Sequence, residues 1–187
     1  MNLPHVTEPV IECDRLDLHH LAADDMEVLF LDPRSLRYPA AYSNPHDVLV
    51  EGPSPVAWRI PQVRADPTVN KWFIRWMVLR ETGEIVGSLS FHGPPDGVGM
   101  LEIGLGVHEA FQRRGFGREA LLGMWRWASQ QRGVLVFRYT VDPNNVASVG
   151  LVRSFGFELV GRQIDEIDGP EDIYEMSVTD FNEKWSG

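Results

Sequence analysis

The stretch that decides the fold is Gln112-Arg113-Arg114-Gly115-Phe116-Gly117-Arg118, with two glycines and three arginines in seven residues. It follows a predicted strand over 101–107 and precedes a predicted helix over 119–131. Backbone N–H groups exposed at the start of a helix, together with local positive charge, form a site for an anion. The glycines let this backbone approach a ligand that a Cβ would hold away. Diphosphate is therefore the expected ligand.

The composition bounds the class of protein. The chain has 187 residues, of which 43% are hydrophobic and 24% charged, which indicates a globular protein with a core. This length favours a single domain over 1–187. The formal net charge of −10 argues against general nucleic-acid binding, because nucleic-acid phosphate repels an acidic surface. The same charge suits a cationic partner.

The expected compartment is the cytoplasm. Cys13 is the only cysteine, so the chain forms no intrachain disulfide. No apolar run approaches the roughly 20 residues of a membrane-spanning helix, so no membrane partner is expected. The first residues lack the basic and apolar regions of a signal peptide.

The hydrophobic patterns predict an antiparallel hairpin, followed by alternating strands and helices. The predicted strands cover 15–19, 72–80, 85–91, 101–107, 135–141, 157–164 and 173–178. The predicted helices cover 119–131 and 145–154, and another starts at 22–25 with Met26, Leu29 and Phe30 on its apolar side. A segment over 38–68 differs, because its six prolines are expected to break any long element. A long loop of this kind is usually functional or disordered.

These motifs resemble the GCN5-related N-acetyltransferase (GNAT) superfamily. Its acetyl-CoA signature, Gln/Arg-x-x-Gly-x-Gly/Ala after the fourth strand, is met by QRRGFG at 112–117. A second signature, Asn-x-x-Ser before a hydrophobic run and Gly-Phe, is met by Asn145, Ser148, Leu151, Phe155, Gly156 and Phe157. The resemblance implies an α/β (α+β) fold, with a mixed, mostly antiparallel central sheet flanked by helices.

A third signature resembles the Rim-type ribosomal-protein N-acetyltransferase branch. It reads Glu-Ile-Gly leading to a valine, and is met by Glu102, Ile103, Gly104 and Val107. The resemblance implies acetyl-CoA as co-substrate, with no metal. The residues implied to bind acetyl-CoA are Leu105, Val107, Gln112, Arg113, Arg114, Gly115, Gly117, Arg118 and Asn145. The alternatives are an ordinary glycine-rich turn with solvated arginines, and a plain core strand.

The resemblance also implies two catalytic residues. Glu102 would take a proton from the ammonium nucleophile, directly or through water. Alternatively, Glu102 only orients the amine or pairs with an arginine. Ser148 would protonate the departing thiolate, although Asn145 and Ser148 also suit the capping of a helix. Val152 stands where many family members carry a tyrosine acid, which leaves Ser148, a distant tyrosine or no acid at all.

The implied activity is direct transfer of an acetyl group from acetyl-CoA to a primary amine. The Rim-type likeness favours a protein N-terminal amine as acceptor. One alternative is a small cationic amine, such as a polyamine or an aminoglycoside. Another is a CoA-binding regulatory domain without catalysis. The segment over 38–68 is expected to shape the acceptor site, and a homodimer is one assembly that the sequence allows.

Overall fold

The computed structural model describes residues 3–51, 54–165 and 169–185. The chain divides into two units, Met1–Pro94 with Leu105–Met124, and Pro95–Gly104 with Trp125–Gly187. Strand β5, Met100–Val107, passes from the second unit into the first at Leu105. The expectation of a single domain over 1–187 stays a prediction.

The first unit contains an antiparallel sheet with helices around it. Its strands follow the order β1-β2-β3-β4-β5, and the pairs β1–β2, β2–β3 and β3–β4 are antiparallel. These strands are β1 (Ile11–Glu12), β2 (Leu16–His20), β3 (Arg75–Leu79) and β4 (Ile85–Phe91). Its helices are α1 (Ala23–Leu31), α2 (Val56–Ala65) and the first part of α3 (Phe116–Ser129).

The second unit continues from β5 in the order β5-β6-β8-β7. Strand β6 is parallel to β5 and antiparallel to β8, which is antiparallel to β7. The strands are β6 (Val136–Val141), β7 (Glu158–Asp165) and β8 (Gly169–Ser177), and the helices are α4 (Val146–Ser154) and α5 (Val178–Trp185). The predicted fold class, a mixed and mostly antiparallel sheet with flanking helices, is confirmed.

The prediction that prolines break every long element over 38–68 is wrong for helix α2. This helix runs through Pro61, although proline lacks the N–H that an interior helical position donates. Val56, Ile60 and Val63 form one buried side of α2, and helices in proteins depend more on such packing than on propensity. Pro53 lies outside the described residues.

Two other predicted boundaries are wrong. The strand expected over 72–80 starts only at Arg75, because Pro67–Trp72 forms a 3₁₀-helix. Helix α5 was not predicted, and it begins where β8 ends and buries Phe181. Helix α3 begins at Phe116, three residues before the predicted start at 119.

The core of the second unit is built around Trp125, which is fully buried. Its ring lies 4.7 Å from that of Phe157, 5.0 Å from Phe155 and 6.0 Å from Phe137, measured between centroids. Such aromatic pairs add packing energy beyond the area they bury. This cluster fixes the C-terminal part of α3 against strand β6.

Strands β4 and β5 approach each other closely in the first unit. The backbone N–H of His108 donates to the Val86 carbonyl at 2.8 Å. A Cβ on Gly87 would collide with the carbonyl oxygen of Gly106 and lie 3.1 Å from the Cα of Val107. The sheet therefore requires glycine here, for a reason of space rather than backbone angle.

No helix of the described residues is long and apolar enough to cross a membrane.

Gly87→Ala is expected to lower the free energy of unfolding by roughly 1–3 kcal/mol, the usual cost of overpacking. The reason is that the obstructing atoms belong to the backbone of β5 and have little freedom to move away. Chemical denaturation measures the change. Gly97→Ala is the control, because a Cβ there meets no atom within 4 Å. Equal stability of the two variants would contradict the close approach of β4 and β5.

Candidate active site

The loop between β5 and α3 has the geometry of an anion site. A 3₁₀-helix at Glu109–Phe111 is followed by two residues in the left-handed region, Arg113 with φ 60° and Gly115 with φ 85°. The first helical hydrogen bond of α3 runs from the Glu119 N–H to the Gly115 carbonyl at 3.0 Å. The N–H groups of 116–118 therefore precede the regular helical bonding, at the positive end of the helix dipole.

Glu119 anchors this loop to the start of strand β2. Its carboxylate accepts the backbone N–H groups of Arg15 at 2.6 Å and Leu16 at 2.9 Å. The Arg15 guanidinium pairs with the same carboxylate at 2.8 Å and donates to the Arg114 carbonyl at 3.0 Å. Arg15 thus neutralises an acidic residue that would otherwise face an anion at the helix start.

The predicted loop residues lie at the surface around this anchor. Gln112, Arg113, Arg114 and Gly115 are exposed, whereas Gly117 and Arg118 are half-buried in the first turn of α3. The Gln112 side chain donates to the Val107 carbonyl at 3.0 Å, which ties the loop to the end of β5. The Arg114 guanidinium lies over the Phe111 ring, 5.3 Å from its centroid.

In the second unit, the pairing of β5 with β6 is short. It covers Met100–Glu102 against Val136–Arg138 and ends there, although β6 continues to Val141. Beyond this point, Ile103 and Gly104 continue β5, but the β5–β6 ladder does not extend to them. A backbone of this kind can bond an extended ligand as if the ligand were a strand.

Glu102 stands at the last pair of this ladder. It is half-buried, and the hydroxyl of Thr140 on β6 donates to its Oε1 at 2.6 Å. The short hydrogen bond fixes the direction of the carboxylate. Thr140 therefore holds in place the side chain that was predicted as the base.

Asn145 and Ser148 lie at the start of helix α4. The Asn145 side-chain oxygen accepts the Ser148 N–H at 3.1 Å, so the capping role weighed for Asn145 is confirmed. Ser148 is half-buried in the first turn of α4. Val152, at the position of the usual tyrosine acid, is fully buried.

The segment before α2 contacts the residue that follows β5. His46 stacks on His108 with ring centroids 4.7 Å apart, and lies 5.0 Å from Phe111. The Nε2 atom of His46 is buried without a hydrogen-bond partner among the described residues. The segment over 38–51 thus reaches the end of the strand predicted to bind the thioester.

Within the described part of the chain, one group of side chains has the proximity needed for a metal. Ligand atoms of His5, Asp24 and Asp25 lie within 4.8 Å of one another. His5 is exposed, and its Nδ1 already bonds to Asp24 at 2.9 Å. The histidine spacing in the sequence did not indicate this group, and exposed acidic groups often occur without an ion.

Sequence reasoning missed the side chains that support the predicted ones. Glu119 meets Arg15 across 104 positions of sequence, and Thr140 meets Glu102 across 38. No local pattern indicates such partners.

Comparison with known proteins supports the family. The family model described as an acetyltransferase (GNAT) domain matches residues 15–158. YjdG of Bacillus subtilis (strain 168), an uncharacterized N-acetyltransferase, is 31% identical over 91 residues, which are 48% of this chain and 54% of YjdG. The chain therefore matches about half the length of that relative.

Solved structures share the fold at low identity. A ribosomal-protein-S5-alanine acetyltransferase from Vibrio fischeri aligns with a TM-score of 0.65 and 15% identity, covering 93% of this chain and 99% of that one. A spermidine N-acetyltransferase SpeG chimera from Vibrio cholerae and hSSAT aligns with a TM-score of 0.62 and 12% identity, covering 90% and 98%. Both likenesses concern the fold.

Gly115→Glu is expected to weaken acetyl-CoA binding by roughly 100-fold, the loss of a hydrogen bond to a charged group. The added carboxylate brings negative charge into the loop that is proposed to hold the diphosphate, and the left-handed backbone strains any side chain. Titration calorimetry measures the affinity. Gly133→Glu is the control, because Gly133 has a similar φ of 87° and open space around it. Equal affinities in the two variants, or no binding by the wild type, would contradict the anion site.

Proposed function

The chain belongs to the acetyltransferase (GNAT) family, and on that premise we propose that it transfers an acetyl group from acetyl-CoA directly to a protein N-terminal amine. The observation that carries the proposal is the loop before α3. Its left-handed Gly115, arginine-rich surface and helix start together suit a diphosphate.

The residues around this loop fit acetyl-CoA, which is consumed as a co-substrate. A Cβ on Gly115 would lie 3.3 Å from the Arg15 guanidinium, and the left-handed backbone at this position favours glycine. Arg113, Arg114 and Arg118 supply charge for the phosphates. The backbone at Leu105 and Val107 would bind the pantetheine arm and donate to the thioester carbonyl, where negative charge develops.

Two observations support direct transfer. Glu102 is held by Thr140 in a fixed direction, as a base requires before it can take a proton from an ammonium group. Cys13, the only cysteine, is unsuited to carrying the acetyl group, because burial raises the pKa of its thiol to about 12. The amine would therefore attack the thioester itself.

The acceptor is proposed from the Rim-type signature of strand β5 and from charge. Glu102, Ile103, Gly104 and Val107 match that signature, and the Vibrio fischeri neighbour is named for a ribosomal-protein substrate. A net charge of −10 attracts a cationic amine of any size. The same charge, together with the spermidine acetyltransferase neighbour, keeps a small polyamine as the second candidate.

Glu102→Gln is expected to lower kcat by roughly 10²-fold, in line with the loss of a general base. The affinity for acetyl-CoA should change little, since the amide keeps the shape and the acceptor for Thr140. Steady-state rates over a range of pH measure the effect.

The matched control is Glu158→Gln, the same change at an exposed carboxylate on β7. Wild-type kcat in Glu102→Gln at every pH would mean that Glu102 only supports the structure. If Glu102→Gln and Glu158→Gln lowered kcat equally, Glu102 would likewise have only a structural role.

His46→Ala is expected to raise the acceptor KM about 5- to 10-fold, with little effect on the KM for acetyl-CoA, if one packing contact of about 1 kcal/mol shapes the acceptor site. The segment over 38–51 reaches His108 through this ring. His19→Ala is the control, because the His19 ring also contacts the segment. Its centroid lies 4.8 Å from that of the Tyr42 ring.

The acceptor KM should also rise with salt, because the Debye length is only about 10 Å at 0.1 M and the steering of a cation is screened. If His46→Ala raised the KM for the acceptor and the KM for acetyl-CoA equally, the segment over 38–51 would support the fold rather than shape the acceptor site. A KM that is indifferent to salt would favour a neutral acceptor.

A further inference from the structure

A cavity of about 220 Å³ lies at the end of strand β2, in the first unit. A water molecule takes up roughly 30 Å³ of the liquid, so this space suits a ligand of about seven to ten non-hydrogen atoms. Its walls come from the segment before β1, from the junction of β2 with α1, and from the 3₁₀-helix at Pro67–Trp72. Most of the lining is apolar and is contributed by Pro4, Val6, Ala23 and Pro67.

Strand β2 separates this cavity from the loop between β5 and α3. His20 ends the strand and lines the cavity, whereas Arg15, just before the strand, pairs with Glu119 of α3. Five residues of strand span roughly 17 Å. A ligand in the cavity is therefore distinct from the acetyl-CoA that the loop is proposed to bind.

The buried histidine of the wall has both ring nitrogens in use. Its Nδ1 accepts the Glu8 backbone N–H at 3.1 Å, so the proton is on Nε2, which donates to the Asn70 carbonyl at 2.9 Å. Burial lowers the pKa of His20 to about 4, so the ring is neutral at pH 7. His20 thus joins the three parts of the wall, and its nitrogens are already paired.

Asn70 presents a polar atom that is still open. The residue is 4% exposed, and its Nδ2 donates to the Leu21 carbonyl at 3.0 Å, which fixes the orientation of the amide. Its Oδ1 is buried and has no hydrogen-bond partner among the described residues. A buried amide oxygen without a donor is costly. A ligand with an N–H group in the cavity would supply that donor.

Two side chains of opposite charge also line the cavity, Glu8 and Lys71. The Lys71 ammonium lies over the Trp72 ring, 4.8 Å from its centroid, an arrangement that favours a cation at this place. A plain amine would be repelled by Lys71, and a plain carboxylate would be repelled by Glu8. A ligand that carries both charges would be attracted by both side chains.

We infer that this cavity is a second small-molecule site, which binds the zwitterion of a free α-amino acid with a short apolar side chain. The ammonium group would donate to Asn70 Oδ1 beside Glu8, and the carboxylate would face Lys71. The side chain would lie against the apolar wall of Pro4 and Val6. The inference does not rest on the proposed acetyl transfer, because it uses no residue assigned to acetyl-CoA or to the acceptor.

Titration calorimetry with L-valine and L-leucine, without acetyl-CoA, tests the inference. At least one of them should bind the wild type. Two analogues of leucine should bind roughly 10-fold more weakly than L-leucine, the effect of one lost hydrogen bond to a charged group. These are 3-methylbutylamine, which lacks the carboxylate, and 4-methylpentanoate, which lacks the ammonium group.

Glu8→Gln should weaken amino-acid binding by a similar factor of roughly 10, because it removes the charge beside the ammonium group. Glu12→Gln is the matched control, the same change at an exposed carboxylate on β1. The NMR signal of the Asn70 side-chain amide should shift when the amino acid is added, which places the ligand in this cavity without any substitution. Thermal melts show whether each variant is folded.

Four results would each overturn the inference. The first is that neither amino acid binds at millimolar concentration, which would mean that the cavity holds only water. The second is equal affinity for L-leucine and either analogue. The others are equal affinities in Glu8→Gln and Glu12→Gln, and an Asn70 amide signal that does not move while the amino acid binds.

Discussion

The ladder between β5 and β6 ends after Glu102 and Arg138, and the candidate chemistry of the second unit depends on where it stops. Backbone groups that leave a ladder need another partner. Beyond the last pair, the Thr140 side chain on β6 donates a hydrogen bond to Glu102. If β5 and β6 paired over their full length, no place would remain between them for a ligand that pairs as a strand.

The first unit meets a related constraint at the other end of β5. Gly87 lets β4 approach the backbone of Gly106 and Val107. Gln112 then ties the following loop to the Val107 carbonyl, and Glu119 ties it to β2 through Arg15. The loop is thus held from two sides, as the proposed anion site requires. Preorganisation of this kind lowers the entropy that a ligand must lose on binding.

The sequence predicted those parts of the site that depend on local signals. Gly115 with its neighbouring arginines predicted a turn into a helix, and the structure has that turn, with the helix starting at Phe116. The order of the patterns predicted a hairpin followed by alternating strands and helices, and the family resemblance implied the mixed sheet. Helix α2 was missed because Pro61 outweighed the buried stripe of Ile60 and Val63. The partners Arg15 and Thr140 were missed because tertiary contacts join positions that are distant in sequence, and no periodicity indicates such contacts.

The most direct test of the account is a turnover measurement with acetyl-CoA and amines, in which free CoA and acetylated product are quantified together. The account predicts that CoA is released only when an amine is present, in equal amount to the acetylated amine, with an N-terminal peptide preferred to a polyamine. Binding of acetyl-CoA with no release of CoA for any peptide or polyamine would contradict the account and indicate a CoA-binding domain without catalysis.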